Sequence, residues 1–302
     1  MPSQTTVFRT QAVLWHATGA RLGESPRWNP WTKQVHWIDI DAGNLWTAEL
    51  DGGQAHCRFL GAPLGAIALG RRSMAFAVGG QWWRLTSEDA VHGPWTQLEH
   101  SLLRFNDCGV DVQGKLWSAS MRRDEVLTGA PLGGLYDCSS TPPVERLSGL
   151  AAGNAIAWSP DDCSMYVVDS GPNHVLKIPF NPRGGPTGAP AVWLQCSDAA
   201  GDSAGGGLAD GMAVDSQGGV WLALWGSGEV RRFGAEGVLT AVIKVPTPQV
   251  TALCFAGENL QTLIITTAAT GLENSGDALA GHTFAAPSPV PGLRLHSWEA
   301  NL

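Results

Sequence analysis

The sequence predicts an all-β protein, a six-bladed β-propeller built from four-stranded antiparallel blades. Three observations predict it. One short pattern recurs six times along the 302 residues. Each copy runs into a turn and then a second apolar strand. The 38 Gly and 19 Pro residues punctuate the chain evenly, as many short strands joined by turns require.

The pattern is a variable residue followed by small, apolar, small and apolar residues. Asn154 to Trp158 and Asp210 to Val214 carry it cleanly, and Gly65 to Leu69 and Thr251 to Phe255 also match. Asn106 to Val110 and Glu24 to Trp28 are looser but end in the same tail. That tail reads Asn29 to Gln34 then Val35 to Asp39, and Asp111 to Gly114 then Leu116 to Ala119. It returns as Ser159 to Asp162 then Met165 to Asp169, and as Asp215 to Gly218 then Val220 to Leu224. The small residues of the first strand suit a crowded position; the second strand is bulkier. Starts at 24, 65, 106, 154, 210 and 251 give steps of propeller-blade length. Loops at Pro179 to Pro190 and Ser197 to Gly207 account for the longer steps.

Residues 1–302 therefore read as one propeller domain, with residues 1–20 contributing to closure of the last blade. Gln11 to His16 has strand character. It is expected to pair with C-terminal strands near Gly281 to Phe284 and Leu293 to Trp298, leaving no open edge. A pair of two-sheet sandwiches is the competing architecture, and the repeat tells against it.

Composition narrows the function. Apolar residues make up 44% of the chain and mean hydropathy is near zero, which suits a soluble globular protein. No apolar run approaches the roughly 18 residues of a membrane span. The polar stretch Met1 to Thr10 lacks the apolar core of a secretory signal. The six Cys show no CxxC pairing, so they are expected to be reduced core residues of a cytoplasmic protein. Net charge is −8 and the arginine pairs are isolated, which argues against nucleic acid and anionic membranes as partners.

Equivalent positions in a propeller lie at equivalent radius and height. The first residues of the repeats, Glu24, Gly65, Asn106, Asn154, Asp210 and Thr251, should therefore ring one end of the central channel. A single Asp or Asn before a strand is ordinarily a turn residue. Asp111, Asp161 and Asp215 fit that role in first turns, and Asp39 and Asp169 fit it at the ends of second strands. Four oxygen-bearing side chains in one ring are harder to assign to turn chemistry. They supply hard ligands and about two negative charges, which suits Ca²⁺, Mg²⁺ or Mn²⁺. Zn²⁺ is less favoured without His or Cys, although it accepts carboxylates.

At these residues the sequence closely resembles the SMP-30/gluconolactonase/luciferin-regenerating-enzyme family. The matching stretches are Leu22 to Pro26, Arg104 to Asp107, Gly153 to Asp161, Ala209 to Asp215, Trp221 to Gly226 and Thr251 to Ala268. The resemblance implies one divalent metal ion (Ca²⁺, Mn²⁺, Mg²⁺ or Zn²⁺) held by Glu24, Asn154 and Asp210, with positions left for water and substrate. It places Arg104 and Asn106 beside the metal as substrate-binding residues. It also matches Asp124, more closely than Glu125, to an acidic residue that touches sugar hydroxyls. Gly153 stands where the family often has Pro, and Ser25 where Gly is usual; neither change removes a ligand.

The implied activity is hydrolysis of a sugar lactone, an aldonolactone such as gluconolactone or a pentonolactone, to the sugar acid. The metal would polarise the carbonyl and Asp210 would activate water as the catalytic base. The expected protein is a monomer or weak homo-oligomer acting on a small molecule. Nucleophilic catalysis is not supported: no GxSxG elbow occurs, and His36 and His174 read as structural. The alternative is a non-catalytic calcium-binding regulatory propeller. A mere interaction scaffold would not need the oxygen ring.

Overall fold

The structure, a computed structural model, describes residues 7–124, 130–196 and 206–298. It consists of strands and turns, with no helix among the described residues. Six sheets each supply the expected four-stranded antiparallel meander, and two of them carry a fifth strand. The inner strands are Gly23–Asn29, Leu64–Leu69, Leu103–Val110, Gly153–Trp158, Leu208–Val214 and Val250–Ala256. Each packs against the next, and the last packs against the first, so the sheets close into a ring. The Ala- and Gly-rich pattern follows from this: six strands crowd one axis and only small residues fit between them.

Blade one continues outward through Gln34–Asp39, Asn44–Glu49 and His56–Phe59, and the others repeat that meander. Blade four splits its outer edge, because His174–Asn181 pairs with both Gly185–Pro186 and Ala191–Gln195. The core lies between blades, where buried Trp37, Trp82, Trp117 and Trp221 fill the gaps. The first-turn aspartates are structural, as the sequence suggests. Asp111 accepts the Trp117 Nε1 proton at 2.9 Å, and Asp215 does the same for Trp221 at 2.8 Å. Asp215 is also paired with Arg232.

Closure follows the expectation in part. Val13–His16 pairs antiparallel with Thr283–Pro287 and supplies the outer strand of blade six. Phe8–Gln11 goes further, pairing parallel with Leu239–Lys244 as a fifth strand of blade five. Leu293 to Trp298 does not join the last blade. That edge is already taken by Val13–His16, so the segment turns across the channel mouth opposite the ring. Leu293 N donates to Val214 O at 3.1 Å and Trp298 N donates to Leu69 O at 2.8 Å. Trp298 also stacks on Trp95, with ring centroids 5.2 Å apart.

All six cysteines are free thiols. Cys108, Cys138, Cys196 and Cys254 are buried as expected, whereas Cys57 and Cys163 are exposed. Cys57 sits in an outer strand and Cys163 in a turn, which packing does not enclose. No helix of the described residues is long and apolar enough to cross a membrane.

Candidate metal and substrate site

One backbone device builds the ring six times. Every inner strand slips register against its neighbour at the ring position: between Glu24 and Arg27, Leu64 and Ile67, Phe105 and Asp107, Gly153 and Ile156, Ala209 and Met212, and Val250 and Ala252. A bulge of this kind re-aims the extra residue away from the ladder. The segments entering the ring are anchored by aspartates that end second strands. Asp39 accepts from Arg21 N at 2.9 Å and Leu22 N at 3.2 Å. Asp169 does the same for Ala151 N and Ala152 N.

Glu24, Asn106, Asn154 and Arg104 are buried side chains at this mouth. Asn154 Nδ2 donates to Asp210 Oδ1 and, at 3.2 Å, to Ser170 Oγ. Ser170 in turn donates to Ala209 O at 2.7 Å, which ties the two ring positions together. The Asn154 amide is thereby held with Nδ2 facing protein acceptors, so its Oδ1 is the atom left to meet a cation. Glu24 Oε2 accepts from Ser25 N at 2.7 Å. Ser25 has φ +49°, the left-handed region that favours the glycine usual here. Its buried hydroxyl accepts from Ile67 N at 3.1 Å, a contact that glycine lacks.

The other two ring positions carry no donor for a ligand. A Cβ at Gly65 would lie 2.2 Å from the carbonyl oxygen of Phe105, so the close approach of blade three excludes any side chain there. Thr251 turns its hydroxyl to Gly23 O and Thr266, fastening blade six to blade one.

Arg104 donates to Asn106 Oδ1 at 2.5 Å, while Asn106 Nδ2 donates to Gly153 O at 3.0 Å. Both ends of the Asn106 amide are thus engaged, its oxygen by Arg104 and its nitrogen by Gly153 O. Asp124 lies just beyond the end of Leu116–Arg122, the strand whose Met121 pairs with Arg104. It forms a two-point pair with Arg122 at 2.8 and 2.5 Å, and its side chain is half exposed. The structure places it at the rim and not within the ring. Glu125 lies outside the described residues, as does most of the Ser197 to Gly207 loop.

The electrostatics set out what the site requires. Burial raises Glu24 well above the usual carboxylate range, and the charges of Asp210 and Asp107 raise it further. Burial, then Asp107, pushes Asp210 up to about 8 against the Asn154 hydrogen bond and Arg104. Two carboxylates thus share a desolvated space without enough positive charge around them. No cluster of three His, Cys, Asp or Glu side chains able to hold a metal occurs among the described residues. The donor set is two carboxylates and an amide oxygen, a hard combination that fits a divalent cation with coordination positions to spare. His36, by contrast, is structural: it is buried against Thr47 Oγ1 at 2.8 Å, and burial lowers it to about 4.

Two residues that the sequence alone did not single out complete the site. Arg27 and Asp107 form a buried ion pair at 3.0 Å further along the channel. Arg27 also donates to Cys108 O at 3.0 Å.

Fold and site together define a propeller with a cluster of oxygen donors at one channel mouth. The chain belongs to the SMP-30/gluconolactonase/LRE-like family, whose sequence profile matches residues 22–269. It is similar to the L-arabinolactonase of Azospirillum brasilense, with 30% identity over 292 residues and 94% of each chain covered. It is 31% identical over 287 residues to the 6-deoxy-6-sulfogluconolactonase of Pseudomonas putida, covering 90% of this chain and 92% of that one. Among solved structures, a calcium-binding protein, regucalcin, from Agrobacterium tumefaciens superposes with a TM-score of 0.88 at 25% identity. That match covers 97% of this chain and 99% of the other.

Proposed function

We propose that this protein is a lactonase that hydrolyses a sugar lactone to its sugar acid at a centre where Glu24, Asn154 and Asp210 hold one divalent cation. The observation that carries the reading is the buried Glu24 carboxylate, its pKa raised further by the part-buried Asp210, at one mouth with Asn154 and with an Arg104 held by Asn106. The lactonases named among the relatives supply the substrate class. A cation bound by these residues supplies polarisation of the lactone carbonyl.

The chain's own groups do the rest. Asp210 takes the proton from the water that adds to the carbonyl carbon. Asp210 lies beside Asn154, within reach of the proposed cation, which suits it to take a proton from water bound there. As the ring C–O bond breaks, that proton is available to the departing sugar oxygen. Arg104 donates charge-assisted hydrogen bonds to substrate oxygens, and its burial makes them strong. Asp124, at the rim, accepts from sugar hydroxyls. The reading places the enzyme in the cytoplasm as a monomer or weak homo-oligomer, with a small sugar lactone as its partner.

The test is turnover of a panel of aldonolactones with Mn²⁺, Ca²⁺, Mg²⁺, Zn²⁺ or EDTA. Metal-dependent hydrolysis of at least one lactone is expected. The likeness to a protein named as calcium-binding favours a second reading, a non-catalytic regulatory propeller. Tight Ca²⁺ binding with no turnover under any metal would establish it.

A further inference from the structure

Arg104 stands two residues before the ring position of blade three, and its guanidinium reaches the ring residue Asn106. The same register in the other five blades is filled by Leu22, Pro63, Ala152, Leu208 and Gln249. Of these only Gln249, in blade six, has a polar side chain. The two backbones match in detail. The ladder slips between Phe105 and Asp107 in blade three and between Val250 and Ala252 in blade six, so the ring residue, Asn106 or Thr251, is the extra one in each. The inner strands follow one another around the ring, which sets blade six across the channel from blade three. By this equivalence Gln249 carries an amide toward the ring from the side opposite Arg104.

That amide is unlike its counterparts at this mouth. Asn106 has both ends held by protein, whereas Gln249 Oε1 is buried and accepts no hydrogen bond from any described residue. The nearby Thr251 hydroxyl does not meet it, being committed to Gly23 O and Thr266. The backbone here is pinned from two sides: Gln249 O accepts from Ala268 N at 2.9 Å, and Gln249 bridges Trp225 of blade five. Only the side chain is left to adjust, and the terminal torsion of a glutamine is soft, so the amide oxygen can turn to a ligand without moving the strand. A buried acceptor with no donor costs stability, and a ligand that brings the donor recovers it. The unmet atom is an acceptor, so the group that fits it has a proton to give: a hydroxyl, and not a carboxylate or phosphate oxygen.

We propose that Gln249 is a substrate-binding residue which accepts a hydrogen bond from a hydroxyl of the sugar lactone, on the side of the channel opposite Arg104. It selects hydroxylated lactones over those without ring hydroxyls. The inference rests on the lactonase reading above.

The experiment compares wild type, Gln249→Met and Gln249→Leu at saturating metal. Steady-state kinetics use the aldonolactone that wild type turns over best and δ-valerolactone, which has no ring hydroxyl, as substrate or competitive inhibitor. Calorimetric titration of the matching aldonate and urea denaturation accompany them. Both variants are expected to raise KM for the aldonolactone and Kd for the aldonate about 3- to 10-fold, the effect of one neutral hydrogen bond, with kcat little changed. Affinity for δ-valerolactone should hold, and the denaturation midpoint should hold or rise, because an unmet acceptor has been removed. If one variant does not fold, the other decides. Unchanged KM and Kd for the sugar overturn the proposal. So does equal weakening toward both lactones, which marks a general distortion, and so does failure of both variants to fold, which marks a packing residue. If wild type hydrolyses no lactone, the lactonase reading fails, and the aldonate titration still decides whether Gln249 holds a sugar hydroxyl. Absence of aldonate binding by such a wild type overturns the proposal as well.

Discussion

Asn106 donates from Nδ2 to the carbonyl oxygen of Gly153 at 3.0 Å, joining the ring position of blade three to the residue just before the Asn154 ring position. The same amide receives Arg104 on its oxygen. One side chain thus sets the spacing between the guanidinium and the cation-facing amide. Asn106→Ala is expected to lower kcat/KM about 10- to 100-fold, mainly through KM, as Arg104 loses its aim. Unfolding should show a cost of about 1–3 kcal/mol, because Gly153 O and Arg104 lose buried partners. Steady-state kinetics and urea denaturation measure the two effects separately.

Asp210→Asn keeps the shape of the site but removes the proton acceptor and one ring charge. Turnover should fall by about 100-fold or more at saturating metal. Thermal unfolding in EDTA at neutral pH should not suffer, since Asp210 is then largely protonated and the amide keeps an oxygen to accept from Asn154 Nδ2. A retained rate would rule out Asp210 as the base.

The pH dependence of the metal-free protein follows from the same residue. Its folded value of about 8 lies above the ordinary aspartate value of about 3.9, so the folded chain holds a proton that the unfolded chain releases first. The stability this contributes is complete below about pH 4. It is lost as pH rises through 8. Melting temperature in EDTA should therefore decline across that window. Divalent-cation affinity should climb across it, with proton release on binding that differs between buffers of different ionisation enthalpy.

Trp298→Ala tests the segment that crosses the second mouth. Trp298 is buried against Trp95, and its loss should cost about 3–5 kcal/mol, read as a lowered denaturation midpoint. The ring lies at the other end of the channel, so KM for the lactone should hold.

Asp124→Ala probes the rim. Asp124 is half exposed and its pair with Arg122 is screened by solvent, so the denaturation midpoint should barely move. A severalfold rise in KM with little change in kcat is the expected sign of contact with sugar hydroxyls.

The six blades were legible because crowding at the axis imposes small residues at a fixed interval, and those residues recur in the chain. The ring was legible for the same reason: Glu24, Asn106, Asn154 and Asp210 occupy one place in the repeat. Other contacts were not. Arg27 reaches Asp107 by skipping a blade, a relation that no periodic pattern encodes. Leu293 to Trp298 alternates like a strand, yet the outer edge of the last blade is filled by Val13–His16. The exposure of Cys57 and Cys163 depends on where outer strands and turns face, which repeat alignment does not address.

The backbone of the ring is close to sixfold, but its furnishing is not. Glu24 stands between a Gly65 that admits no side chain and a Thr251 turned away to Gly23, while Asn106, Asn154 and Asp210 crowd the other arc. Such a centre has no mirror plane. If the proposed roles hold, a lactone and its enantiomer cannot both offer a carbonyl to Glu24, Asn154 and Asp210 and a hydroxyl to Arg104 in the same pose. On the proposed lactonase reading, discrimination between D- and L-sugars is expected from the frame before any loop contributes, and chiral resolution of racemic lactones is where that handedness would show.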